Sequence, residues 1–124
     1  MRKIVVYGSL RMGHGNHRAL LSNSELLSTE VVNIPFQMIS LGGFPGLIPS
    51  EKKHDITVEI YEVTDEVYRR VESLEGYPHF YQKAIVPTSL GDYEIYVLLD
   101  EHYREGHRVV EHGDWNKHYQ PRYA

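Results

Sequence analysis

The chain has no cysteine among its 124 residues, which excludes disulfide bridges, thiolate catalysis and cysteine-ligated zinc. It also lacks a long apolar run. The apolar stretch that begins at Ile4 ends at Gly8, so it is shorter than the ~7–15 residues of a signal-peptide core. No stretch approaches the ~20 apolar residues of a membrane span. We therefore expect a protein of the cytoplasm with no membrane partner.

An excess of positive charge is missing as well. The 13 Lys and Arg residues are outnumbered by 17 Asp and Glu, and the net charge is -4. Nucleic-acid-binding proteins usually carry a basic patch. The only basic cluster lies toward the C-terminus and is more simply explained as solvated surface; its members are Arg104, His107, Arg108, Lys117 and Arg122. We expect no nucleic-acid partner.

Hydrophobic residues make up 41% of the chain, enough for one core, and the length fits a single domain, residues 1–124. Residues 4–7 are β-branched or aromatic and end at a Gly-Ser pair, which predicts a buried first strand. Residues 30–40 also look extended, but Pro35 divides them, so we predict an edge strand or two short pieces. Residues 41–49 are dense in glycine and proline and are predicted to be irregular, packed on the core or on a ligand.

Two segments are predicted to be helical. Residues 16–21 can form a short helix with Asn16 as its N-cap. Thr64 is the predicted N-cap of a longer helix, and Gly76 is predicted to end it. Its apolar residues recur at spacings of four and three, which gives one apolar face: Val67, Val71 and Leu74. Glu75 is therefore predicted to lie in the last helical turn or just past it.

The remaining strands predict the fold class. Residues 56–63 alternate between apolar and polar side chains, as a strand does. Residues 80–87 and 93–99 are also predicted strands, and the short Gly-Asp link between them predicts a hairpin. Several strands with few helices in this order predict an α+β fold: a mostly antiparallel sheet or small barrel with helices packed against it.

The loop after the first strand is the first candidate site. Gly8 allows the backbone to turn sharply or to approach a ligand closely. Successive N–H groups in such a turn can form an anion-binding nest, and Ser9 adds a hydroxyl group. Taken alone, however, a Gly-Ser turn after a strand is common and indicates no function. The candidate anion-binding residues are Tyr7, Gly8, Ser9 and Leu10.

Glu75 is the second candidate. The negative end of the helix dipole disfavours a carboxylate at a helix C-terminus, and aromatic residues follow directly in the sequence. If the side chain points into that aromatic setting, its pKa rises toward the range suited to general acid–base catalysis near neutral pH. The alternative is a solvated glutamate at a helix end. Glu72, one turn earlier, is a competing carboxylate without the same aromatic context.

Other patterns fall short of a defined site. His14 and His17 are three residues apart, and three later histidines recur every five residues, but neither spacing matches a metal motif. The GxSxG pattern of a serine nucleophile is absent. The glycines of residues 41–46 do not follow the GxGxxG pattern of dinucleotide-binding loops. We expect neither a bound metal nor a cofactor.

Together these pieces resemble the γ-glutamylcyclotransferase-like family, which includes AIG2-like proteins. The matching motifs occur in order over most of the chain: Val6-Tyr7-Gly8-Ser9-Leu10, Phe44-Pro45-Gly46-Leu47, Leu74-Glu75-Gly76-Tyr77-Pro78, Tyr81 and Gly113-Asp114-Trp115. The resemblance implies a small mixed β-barrel or curled sheet. It also implies an enzyme of intramolecular aminolysis, in which a γ-glutamyl group cyclises to 5-oxoproline and releases an amine or amino acid.

The resemblance also implies a role for each matching residue. Glu75 corresponds to the family's catalytic glutamate, and the Tyr7–Leu10 loop, with its Gly8 and Ser9, to the family's substrate loop. Tyr81 is a candidate for the pocket wall or for a hydrogen bond. The partner is then a small γ-glutamyl substrate. The alternative is a non-catalytic module on the same fold that binds a small carboxylate or a protein, and the oligomeric state stays open.

Overall fold

The computed structural model describes residues 1–98 and 107–118. Within these described residues, six strands and three helices follow one another: β1 (Arg2–Val6), α1 (Gly15–Leu20), β2 (Glu25–Ser40), β3 (Pro45–Val63), α2 (Asp65–Glu75), β4 (Tyr81–Thr88), β5 (Gly91–Leu98), β6 (Arg108–Val109) and α3 (Trp115–His118). The strands form one sheet in the order β4-β5-β1-β3-β2-β6. Only the β1–β5 pair is parallel among the strand pairs of these described residues. The predicted mostly antiparallel α+β fold is confirmed.

The sheet curls strongly. In sheet order β2 is separated from β4 by three strands, yet the two strands are in contact. Glu30 on β2 accepts a hydrogen bond of 2.9 Å from the backbone amide of Ser89, in the turn after β4. The right-handed twist of neighbouring strands accumulates across a sheet and gives such curvature. The result is a half-barrel.

Apolar residues alternate between the two faces of the sheet. On β1, Ile4 and Val6 belong to a cluster that includes Tyr68 and Val71 of α2. Val5 belongs to a second cluster, with residues of β2 to β5 and the buried side chain of Trp115. Successive side chains of a strand point to opposite faces, so one face of β1 supports α2 and the other contributes to the core within the curl.

The ends of α2 follow the sequence-based prediction. The Thr64 side chain accepts a hydrogen bond of 3.2 Å from the amide of Val67, as an N-cap does. Gly76 has φ 65° in the left-handed region, and its amide hydrogen-bonds the carbonyl groups of the last turn. Glu75 is therefore the last helical residue. Within residues 1–98 and 107–118, no helix is long and apolar enough to cross a membrane.

Two predictions about proline-containing segments were wrong in part. Only residues 41–44 of the predicted irregular stretch are irregular, because β3 begins at Pro45 and pairs with β2 from there. Residues 30–40 belong to one continuous strand, β2, so the alternative of two short pieces is wrong. Within the described residues β6 borders β2 only at Ile39 and Ser40, so β2 is an edge strand at Pro35, as the other alternative has it. Its register shifts between Ile34 and Phe36, and this irregularity accommodates the intervening Pro35, which has no N–H to donate to a ladder.

The predicted N-cap of the first helix was also wrong. The helix begins at Gly15, and His14 occupies the N-cap position with extended backbone angles. Asn16 lies inside the helix, and its side-chain amide donates a hydrogen bond of 2.9 Å to Ser9 Oγ. The predicted hairpin of β4 and β5 is confirmed. Of the predicted second strand of that hairpin, residue 99 lies outside the described residues.

Candidate active site

The turn that follows β1 presents two backbone amides that are unpaired among the described residues. The amide of Arg11 donates to the carbonyl oxygen of Gly8 at 3.0 Å and closes the turn. No acceptor within residues 1–98 and 107–118 pairs with the amides of Ser9 and Leu10, the two central residues. Consecutive unpaired amides in a turn make a concave site for an anion. The predicted anion-binding loop therefore has the backbone groups that such a site requires.

Gly8 is needed because β3 begins directly beside the turn. A Cβ atom on Gly8 would lie 2.7 Å from both Cδ and Cγ of Pro45, which is far inside van der Waals contact. A glycine here permits this close approach. The turn is consequently packed onto the start of β3 rather than projecting into solvent.

Glu75 lies at the end of α2 with its carboxyl group largely removed from water. Burial raises its pKa from the ordinary value of 4.5 to about 7, because the charged form loses hydration. The last turn of the helix has no basic residue, and no side chain in the described part of the chain forms an ion pair with Glu75. The carboxyl group is thus poised to exchange a proton near neutral pH.

One cavity of about 390 Å³ joins the turn to Glu75. The sequence-predicted residues all line it, and they come from β1, the following turn, α2 and β4: Tyr7, Gly8, Ser9, Leu10, Glu75 and Tyr81. The other walls are mainly apolar or aromatic, with Val5, Val6, Phe44, Pro45, Leu74, Phe80 and Tyr96 among them. Apolar walls around a few convergent polar groups are typical of small-molecule sites.

Tyr7 and Tyr81 contribute to the wall of the cavity. The hydroxyl of Tyr7 donates to the carbonyl oxygen of Tyr96 at 2.7 Å, and that of Tyr81 donates to the carbonyl oxygen of Pro45 at 2.6 Å. Burial, and then the nearby Glu75 charge, raises the pKa of Tyr81. Both hydroxyl groups are therefore protonated, and their protons are engaged in bonds to backbone oxygens.

Sequence reasoning missed two polar groups of this cavity. Asn16 was assigned to a helix cap, but it lines the cavity and holds Ser9 Oγ from seven residues away. Tyr96 also lines the cavity, and no described residue hydrogen-bonds its buried hydroxyl. Alternation along β5 would have placed Tyr96 on the face opposite Ile95, but only the position of α2 shows which face meets the cavity.

These groups define what the cavity can do chemically. The turn supplies amide donors for a carboxylate, Glu75 supplies a proton acceptor at neutral pH, and the surface around them is mainly apolar. Among the described residues, no group of three or more metal-ligating side chains converges. The geometry suits a substrate that carries a carboxylate and an ammonium group a short distance apart.

A model of the family described as "Gamma-glutamyl cyclotransferase, AIG2-like" matches residues 4–117. The chain belongs to this family. Gamma-glutamylaminecyclotransferase of Rattus norvegicus is 31% identical over 101 residues, which cover 76% of this chain and 68% of that protein. The family protein YtfP of Escherichia coli K12 is 28% identical over 113 residues, which cover 91% of this chain and 95% of that protein. The resemblance seen in the motifs is thus confirmed.

Solved structures of similar proteins have the same fold. The solution structure of YtfP from Escherichia coli gives a TM-score of 0.71 at 28% identity, covering 91% of this chain and 95% of that one. The crystal structure of an uncharacterized protein from Pyrococcus horikoshii gives a TM-score of 0.77 at 23% identity, covering 94% and 92%. At this identity, the similarity to the Pyrococcus horikoshii protein shows only a shared fold. The curled sheet with few helices is therefore the gamma-glutamyl cyclotransferase fold.

Proposed function

We propose that this protein cyclises a γ-glutamyl group to 5-oxoproline and releases the attached amine or amino acid. The observation that carries the proposal is the shared cavity, in which a carboxyl group with a pKa of about 7, Glu75, faces a turn with two free amides. A γ-glutamyl substrate has a matching pair of groups on one carbon atom, an α-carboxylate and an α-ammonium.

Glu75 acts as the proton carrier. In the reaction the α-nitrogen forms a bond to the γ-carbonyl carbon, and the bond from that carbon to the leaving nitrogen breaks. The attacking nitrogen begins as an ammonium and ends as a lactam N–H, so protons must pass from it to the leaving nitrogen. A single carboxyl group can accept and then donate when its pKa lies near the working pH, which is the condition that burial creates for Glu75.

The turn acts as the substrate anchor. The amides of Ser9 and Leu10 bind the α-carboxylate, and Asn16 orients the Ser9 hydroxyl toward the same region by its bond of 2.9 Å to Oγ. With the carboxylate fixed, the chain folds back so that the amine meets the γ-carbonyl. Ring closure is intramolecular already, so the rate gain comes largely from holding this one conformer.

The test is to replace Glu75 with Gln, which keeps the shape and removes the base. We expect purified wild-type protein to release 5-oxoproline from a panel of γ-glutamyl amines and amino acids. Glu75→Gln should lose at least ~100-fold in rate, the lower range for general acid–base catalysis. Glu66→Gln is the matched control, because Glu66 is exposed on the same helix and pairs with Arg70. Wild-type turnover by Glu75→Gln would rule out the assigned role.

The alternative is a non-catalytic module that binds a small carboxylate. It is favoured by the fact that the free amides of the turn need no contribution from Glu75. This alternative predicts that the wild-type protein binds 5-oxoproline while it releases none from any member of the panel. The same assay, combined with calorimetric binding of 5-oxoproline, therefore separates the two functions.

A further inference from the structure

Directly behind the substrate turn, a network of buried charges occupies the interior. Arg11 and Glu59 are only 5% and 4% exposed. Arg11 Nε donates to Glu59 Oε2 at 2.9 Å, and Arg11 Nη1 donates to Asp114 Oδ1 at 2.8 Å. Removing such charges from water is costly, and pairing them offsets that cost only in part, so an arrangement of this kind is weak evidence for a purely stabilising role.

The carboxylates of Glu59 and Asp114 also accept hydrogen bonds from backbone amides. Glu59 Oε1 accepts hydrogen bonds of 2.8 Å from the amide of Met12 and from the hydroxyl of Tyr61. Asp114 Oδ1 also accepts from the amide of Asn116 at 3.1 Å. Burial raises the pKa of Asp114, but its hydrogen bond to Arg11 and the guanidinium charge outweigh this and lower it overall. Three distant segments thus meet at one guanidinium group: the turn, β3 and the C-terminal segment 113–118.

We propose that Arg11 is a positioning residue that fixes the turn so that the amides of Ser9 and Leu10 form a ready-made site for the substrate α-carboxylate. This inference rests on the proposed function, because it assigns that carboxylate to the turn. Neither Glu59 nor Asp114 lines the cavity within the described part of the chain, so both act through Arg11.

The geometry of the turn gives the physical reason. The backbone amide of Arg11 closes the turn onto the carbonyl oxygen of Gly8 at 3.0 Å. Two nitrogens of its side chain are hydrogen-bonded, so the side chain has little freedom to rotate. The amide of the next residue, Met12, is also hydrogen-bonded, to Glu59. Binding groups must be held within roughly 0.5 Å of their productive geometry to be effective. The network supplies this rigidity without contacting the substrate.

A structural role alone predicts lost stability, whereas positioning predicts lost recognition of the α-carboxylate. The two are separated by comparing a γ-glutamyl substrate with its α-carboxamide analogue, in Arg11→Lys, Arg11→Met and Asp114→Asn. Arg70→Met is the matched control, because Arg70 forms an exposed ion pair with Glu66 on α2. Thermal unfolding of each variant shows which of them fold cooperatively.

We expect wild type to prefer the carboxylate substrate strongly in kcat/KM, through a lower KM. In Arg11→Met this preference should fall by roughly 10- to 100-fold, the range that a small misplacement of positioning groups can cost. Arg11→Lys and Asp114→Asn should show the same change to a smaller extent, and they carry the test if Arg11→Met does not fold. Arg70→Met should keep the wild-type preference.

The result is independent of turnover, since binding of 5-oxoproline and of its carboxamide can be measured by calorimetry. If wild type releases no 5-oxoproline, the proposed function is wrong, and the loss of carboxylate preference in binding still tests Arg11. The positioning role is overturned if folded Arg11 and Asp114 variants keep the wild-type preference in both measurements. It is also overturned if wild type does not distinguish carboxylate from carboxamide.

Discussion

Glu75 combines a position that disfavours its charge with a task that requires the charge. It ends α2, where the helix dipole is negative, and burial raises its pKa to about 7. In the free enzyme the base must be ionised, so we expect kcat/KM for a γ-glutamyl substrate to fall as the pH drops below about 7. A pH–rate profile measures the midpoint of that acidic limb, and a midpoint near the ordinary value of 4.5 would contradict the burial of Glu75.

The same residue should make stability depend on pH. The pKa of Glu75 in the folded protein, about 7, lies above the ordinary value of 4.5. The bound proton therefore stabilises the folded protein fully below pH 4.5, and this stabilisation is lost as the pH rises through about 7. We expect the free energy of unfolding of Glu75→Gln, taken relative to that of wild type, to rise by roughly 2 kcal/mol from pH 5 to pH 8. Urea unfolding at both pH values measures this, and an unchanged difference would show that Glu75 is solvated.

At the scale of elements, the contact between the turn and β3 decides the shape of the anion site. An alanine Cβ at Gly8 would lie 2.7 Å from two side-chain atoms of Pro45, so the turn would have to move away from β3. We expect Gly8→Ala to lose at least ~10-fold in kcat/KM and about 1–3 kcal/mol of stability, as overpacking does. Gly15→Ala is the control, because among the described residues a Cβ atom on Gly15 would come no closer than 3.9 Å to the side chain of a non-adjacent residue. An active, stable Gly8→Ala would mean that the turn tolerates displacement.

Local chemistry made some elements predictable from the sequence. Thr64 and Gly76 mark the ends of α2 through capping and a left-handed conformation, and both depend on neighbouring residues only. Pro35 indicated an edge strand or two short pieces, and pairing with the long β3 keeps the strand continuous across a register shift. That pairing joins residues far apart in the chain, so it leaves no local signal.

At the scale of the whole molecule, the curl of the sheet brings the candidate site together. The turn after β1 and the end of α2 each carry a recognisable motif, and the family resemblance placed them in one site. Arg11 and Glu59 lie in no such motif, and Asp114 lies in one, Gly113-Asp114-Trp115, that assigned it no role. A charged residue in a sequence gives no indication of its burial. The association of these three residues depends on the three-dimensional approach of segments 48 and 103 residues apart.

The cavity as a whole also favours one class of leaving group. No lysine, arginine or histidine lines it among residues 1–98 and 107–118. Lys83 is not part of the lining; its Nζ lies 5.9 Å from the centroid of the Tyr96 ring, and it pairs with Glu72. A second carboxylate, carried by a leaving amino acid, would enter apolar surroundings near Glu75 without a compensating charge.

We therefore expect this protein to prefer γ-glutamyl amines over γ-glutamyl amino acids. The matched pair is γ-glutamyl-ethylamine and γ-glutamyl-alanine, which differ only in the carboxylate of the leaving group. Since an unpaired charge in an apolar site is costly, we expect kcat/KM for release of 5-oxoproline to be at least ~10-fold higher with the ethylamine, which corresponds to about 1.4 kcal/mol. Equal rates would mean that the leaving amine stays in water, outside the aromatic part of the cavity, and that Phe44 and Phe80 do not enclose it.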